Sequence, residues 1–150
     1  MKILLAPDVY VNASVAGQGL APEQVVNRVL GGEARAKTTP WILERVEAML
    51  HLHPNFREEA VEPQLEIIRQ RTDLVESEGT HGPDAWTEAL VAGAKAAGVE
   101  RVVTDHPDLA DQDEVEGIEF LSSDAWLIEQ ITPPPPPPTI PPPGTEDQAE

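Results

Sequence analysis

The sequence predicts an α/β fold: a three-layer α/β/α domain around a central, mainly parallel sheet. Short apolar runs at Lys2–Ala6 and Arg101–Thr104 have the composition of strands buried on both faces. Segments with apolar residues at helical spacing alternate with such runs, an order that sets helices over both faces of a parallel sheet. At 150 residues the chain has room for one domain with an adequate core.

Taken in order, Lys2-Ile3-Leu4-Leu5-Ala6 reads as the first strand, ended by Pro7-Asp8. Val9 to Ala16 is mixed in character. Pro22-Glu23-Gln24 opens a helix in which Val25, Val26, Val29 and Leu30 share a face, and Gly31-Gly32 stops it. Residues Ala34–Thr38 suit a second strand. Thr39-Pro40 is a helix start, a capping hydroxyl followed by proline at the first helical position. Ile42, Leu43, Val46, Met49 and Leu50 form its apolar stripe, and Pro54 closes it. Pro63 opens a further helix with Leu65, Ile67 and Ile68, followed by a strand at Leu74-Val75.

Gly82-Pro83-Asp84 introduces an alanine-rich helix, Ala85 to Ala97, ended by Gly98, with Asp84 as its N-cap and Glu88 one turn on. Arg101–Thr104 is the next buried strand and runs into the turn Asp105-His106-Pro107-Asp108. Ile118–Leu121 is the last strand, and Ser122-Ser123-Asp124 caps a final helix through Trp126, Leu127, Ile128 and Ile131. In a parallel sheet the ligand site lies at the carboxyl ends of the strands, where Asp8 and the Asp105–Asp108 turn both fall.

The domain is expected to span residues 1–131. Residues 133–143 contain nine prolines in eleven positions and cannot supply the backbone donors of a helix or sheet. Residues 132–150 therefore read as a disordered, acidic, proline-rich tail, a polyproline II spacer or a ligand for an aromatic groove. All ten Lys and Arg lie at or before Arg101 with fifteen acids, net −5, and twelve unopposed acids follow, net −12. A general nucleic-acid binder needs a basic footprint, and none is visible. With no cysteine, disulfides, thiolate metal sites and cysteine nucleophiles are excluded. No signal peptide or membrane span is evident, so a cytoplasmic protein with no membrane partner is expected.

Three segments together resemble the PIN-like domain, in its toxin-type nuclease branch. They are the opening MKILLAPDVYVNAS, the helix TTPWILERVEAML, and ALVAGAKAAGVERVVTDHPDLAD followed by VEGIEFLSSDAWL. The resemblance implies an Mg- or Mn-dependent ribonuclease whose carboxylates hold the metal, and a toxin–antitoxin-like setting with a homodimer or protein partner. Hard divalent cations take oxygen ligands, and the metal activates water against a phosphoryl group. The resemblance places the family's four acids on Ala6, Arg45, Thr87 and His106, none of which is a carboxylate. A one-residue slip turns a helical side chain by about 100°, so Glu44 does not replace a glutamate at 45.

Displaced acids remain as candidate metal ligands: Asp8, Glu88, Asp105 and Asp108. Each has a plainer role beside it. Asp8 suits a turn or helix start, Glu88 the positive end of its helix, and Asp105 and Asp108 ordinary turn chemistry. His51 and His53 read as surface residues, and His81 lies in a Gly-containing loop. Arg45, set among acids, is expected to pair with Asp8 or Asp108 in place of a metal. Three functions stay open. The first is a catalytically inactive PIN-like module kept for binding or structure, with no cofactor. The second is an endoribonuclease using displaced carboxylates with Mg or Mn, the only case in which RNA is a partner. The third is an adaptor acting through its polyproline tail.

Overall fold

A computed structural model describes residues 2–15, 19–32, 35–54, 56–76, 81–82 and 84–131. The expected tail, residues 132–150, lies outside the described residues. The chain folds in the order β1 (Lys2–Leu5), α1 (Pro7–Val15), α2 (Ala21–Leu30), β2 (Arg35–Thr38), α3 (Pro40–Leu52), α4 (Val61–Arg71), β3 (Asp73–Leu74), α5 (Trp86–Ala97), β4 (Arg101–Val103), α6 (Pro107–Ala110), β5 (Glu114–Val115), β6 (Ile118–Leu121) and α7 (Ser123–Ile131).

The sheet order is β3-β2-β1-β4-β6-β5, with every pair parallel except the edge hairpin β5–β6. Ile3, Leu4 and Leu5 are all fully buried, as are Val102 and Val103 opposite them. Neighbouring strand residues point to opposite faces, so burial of all of them means that both faces are covered. The three-layer α/β/α expectation is met. Ala6 prolongs the central ladder by donating its N–H to Val103 O at 2.9 Å.

Several local expectations hold for their stated reasons. Thr39 Oγ1 caps α3 by accepting from Ile42 N at 3.2 Å. Gly98 ends α5 in the left-handed region at φ 69°, and its N–H reaches the Lys95 carbonyl. Ser122 Oγ caps α7 by accepting from Ala125 N.

Three readings are corrected, and one gains a partner strand. Val9 to Val15, read as mixed, belongs to helix α1, which begins at Pro7. Residues Pro7–Val11 are all buried, so no amphipathic stripe marks the helix, and only proline at the first position signals it. Pro63 does not open α4. A short 3-10 turn, Glu58–Ala60, leads in, and Pro63 sits third, where its missing N–H has no intrahelical partner to lose. Asp84 does not cap α5, because Ala85 occupies that position without a side-chain bond. The strand at Ile118 is half of a hairpin whose two-residue loop, Glu116-Gly117, has φ of 51° and 85°. Glu-Gly serves there where Asn-Gly or Asp-Gly would have announced the turn.

Gly93 permits α5 to lie close against Thr39, the capping residue of α3, since a Cβ there would lie 2.9 Å from Thr39 Cγ2. Thr39 is buried and held by its capping bond, so it has little room to move. Gly93→Ala is therefore expected to lower stability, the overpacking cost of about 1–3 kcal/mol outweighing a helix-propensity gain of about 1 kcal/mol. Thr39→Ser keeps the capping hydroxyl and deletes Cγ2, so adding it should recover most of the loss. Urea unfolding of the two single variants and the double variant checks this, and purely additive effects would refute the contact.

Candidate functional site

The carboxyl ends of β1, β4 and β6 converge on a chain of hydrogen bonds. Pro7 starts α1 directly after β1 and delivers Asp8 into the first turn, where it is 8% exposed. Asp8 Oδ1 accepts from Thr104 Oγ1 at 2.9 Å, and Oδ2 accepts from the Asp105 N–H at 2.7 Å. Thr104 Oγ1 in turn accepts from the His106 N–H at 3.1 Å. Asp105 carries the chain onward: its carboxylate accepts from Ser123 N at 2.8 Å and Ser123 Oγ at 2.6 Å. The first turn of α1, the end of β4 and the start of α7 are thus tied together through two carboxylates.

Burial pushes the Asp8 carboxyl above the ordinary carboxylate value. The Asp105 N–H and the Thr104 hydroxyl hold it down, and the Asp105 charge adds a smaller upward push. Loss of water outweighs two good donors.

The structure brings Asp8 and Asp105 together and leaves the other two candidate acids apart from them. Glu88 is exposed and lines a shallow groove with Lys95 and Glu116, to which neither Asp8 nor Asp105 contributes. Asp108 is exposed in α6, where its carbonyl accepts from Gln112 Nε2 at 3.0 Å. Among the described residues no group of three or more His, Asp or Glu is placed to hold a metal ion.

The four positions singled out by the family resemblance fare as follows. Ala6 is fully buried in the ladder, and Thr87 lies within 3.4 Å of Gln112 Nε2. Arg45 forms no ion pair among the described residues, which corrects the expected pairing with Asp8 or Asp108. The Asp8 oxygens are already bonded to Thr104 and Asp105, and Arg45 Nε is buried without a partner. His106 Nδ1 is likewise buried and unpartnered, and its ring lies 5.5 Å from that of Trp86.

An aromatic cluster, missed in the sequence, completes the region. Trp41 and Trp86 meet edge to face at 5.6 Å, and Trp41 Nε1 donates to the Gly82 carbonyl at 3.1 Å. Tryptophan at the second position of one helix and the first of another was the available signal. Only the fold shows that those two helix starts adjoin.

A raised folded pKa gives Asp8 a definite linkage sign. Its protonated form favours the folded state, so that contribution is complete below the ordinary value of 3.8 and is lost as pH rises through the higher folded value. The stability of the wild type relative to Asp8→Asn should therefore decline as pH is raised from about 4 towards neutrality. Urea unfolding at a series of pH values measures the difference, and a rising difference would mean that the donors outweigh burial.

No protein-family model matches the sequence, and no curated protein matches it. Solved structures do share its fold. VapBC2 from Rickettsia felis, bound to a DNA fragment from its promoter, aligns at TM-score 0.57 and 11% identity over 81% of this chain and 98% of that one. VapC20 of Mycobacterium tuberculosis, a toxin that cleaves the sarcin–ricin loop, aligns at TM-score 0.50 and 14% identity over 76% and 97%. At such identities the likeness concerns architecture, and the chain has the PIN-like α/β/α fold of these toxins.

Proposed function

We propose that this chain is a PIN-fold protein without metal-dependent nuclease chemistry, retained as a binding module. The observation that carries the reading is the engagement of Asp8 and Asp105. Each of their four carboxylate oxygens already accepts from a protein N–H or O–H. A magnesium or manganese ion of the kind the fold implies wants several oxygen ligands in open, convergent positions. Here two engaged carboxylates are accompanied by Ala6, Arg45, Thr87 and His106 at the remaining places. The donor set does not suit the ion, and no step is routed through one.

The acidic balance supports the same conclusion. A net charge of −17 opposes the approach of RNA, and no basic stripe is available to neutralise a phosphate backbone. We assign the PIN-like unit to residues 1–131, with the proline-rich residues 132–150 outside it. A protein partner or a second copy is the class of macromolecule this surface suits. No helix among the described residues is long and apolar enough to cross a membrane.

Manganese calorimetry on the full-length protein tests the reading, together with cleavage assays on structured RNA. The expected result is no saturable heat at millimolar manganese and no cleavage. Tight manganese binding that is lost in Asp8→Asn or Asp105→Asn would restore the nuclease and sink the proposal.

A further inference from the structure

In a chain with 27 acidic and 10 basic residues, a cation has no shortage of carboxylates to meet. Arg35, Lys37, Arg69, Lys95 and Arg101 each meet one. Arg45 does not. It is half-buried, forms no ion pair among the described residues, and its Nε is buried without an acceptor. A guanidinium is always charged and presents its N–H donors in a rigid plane, so leaving it without a counter-charge is costly. A water molecule can satisfy a buried N–H but brings no charge.

Among the described residues three more buried nitrogens lack partners, His81 Nε2, His106 Nδ1 and Trp126 Nε1, and the two imidazoles concern the region around Arg45. Contacts through Trp41 and Trp86 link Arg45 and both histidines to one region. Trp41 lies one turn before Arg45 on α3, so the two share a helix face. The indole N–H of Trp41 holds the Gly82 carbonyl, next in the chain to His81. The ring of Trp41 meets Trp86, and Trp86 meets His106. A neutral imidazole carries one N–H, so either histidine can donate without changing its charge.

Building on the metal-free reading above, we propose that Arg45, His81 and His106, framed by Trp41 and Trp86, form a receptor for a phosphate-type oxyanion. Such an anion supplies the charge that Arg45 lacks and several acceptors for N–H donors, and it matches the guanidinium fork. The carboxylates of Asp8 and Asp105 are taken by their own donors and bond none of these nitrogens. The same chemistry comes from free phosphate or from the phosphate of a nucleotide, whose base would add stacking on an indole.

The chain has three tryptophans, and two of them frame the site, so tryptophan emission reports binding. The full-length protein, in buffer containing a chelator, is titrated with inorganic phosphate and separately with adenosine monophosphate. A saturable response is expected, weakened by about tenfold or more in Arg45→Gln and weakened also in His106→Gln. Tighter binding of the nucleotide supports that source, and equal binding supports the free anion. In thermal unfolding without ligand Arg45→Gln should melt no lower than wild type, because it removes an uncompensated charge. With phosphate only the wild type should gain. No saturable response to either anion, or unchanged binding in both variants, overturns the receptor and leaves the metal-free reading standing. A response that requires added manganese overturns both.

Discussion

A carboxylate removed from water must find donors, and the functional end of this fold is organised by that requirement. Asp8 reaches its buried place because Pro7 lets the chain pass from strand to helix without an idle N–H. Its two oxygens then dictate what β4 must present: a hydroxyl at Thr104 and a free backbone N–H at Asp105. Thr104 itself is fully buried, so its hydroxyl needs both of its partners, Asp8 and the His106 N–H. Asp105 repeats the arrangement one step outward, using Ser123 at the start of α7. Three elements distant in sequence are held in register by two acids, an arrangement that deleting either acid would leave with unpaired buried donors.

The same network sets what the region can do. Acids that converge with open lone pairs repel one another until a cation joins them. Acids whose oxygens each accept an N–H or O–H donor have part of that repulsion offset without one. On the proposed metal-free reading, Ala6, Arg45, Thr87 and His106 add no like-charge repulsion to that of Asp8 and Asp105, so the folded state can stand without an ion. The electrostatic demand is then reversed locally. What lacks a partner is a guanidinium and two imidazoles beside an indole pair, not a group of carboxylates.

How much of this the sequence disclosed follows from the range of each signal. The first strand, the Thr39-Pro40 helix start and the Gly98 stop are local: a few adjacent residues determine them, and they read correctly. Helix α1 did not read, because burial at its start erases the amphipathic period on which recognition depends. The Glu116-Gly117 hairpin was hidden by an unusual first turn residue. Arg45 and His106 were singled out by position, but their lack of partners is a three-dimensional fact. The expected Arg45–Asp8 pair failed for the same reason: no sequence pattern shows that Thr104 and the Asp105 N–H reach Asp8 first. The tryptophan pair joins residues 41 and 86, a contact across the fold that has no periodic signature.

A net charge of −17 and an anion receptor are compatible because they act over different distances. The summed field slows the approach of any anion and is screened beyond about 8 Å at physiological salt. Fixed donors at the site act at contact, where low polarity strengthens them, and so govern departure more than arrival. The balance depends on ligand size. A single phosphate crosses the repulsive field once and then meets a guanidinium. A polynucleotide carries every further phosphate along a surface on which acids outnumber cations 27 to 10. The charge distribution that argues against RNA therefore acts as a filter, admitting small oxyanions to Arg45, a half-buried arginine that forms no ion pair among the described residues.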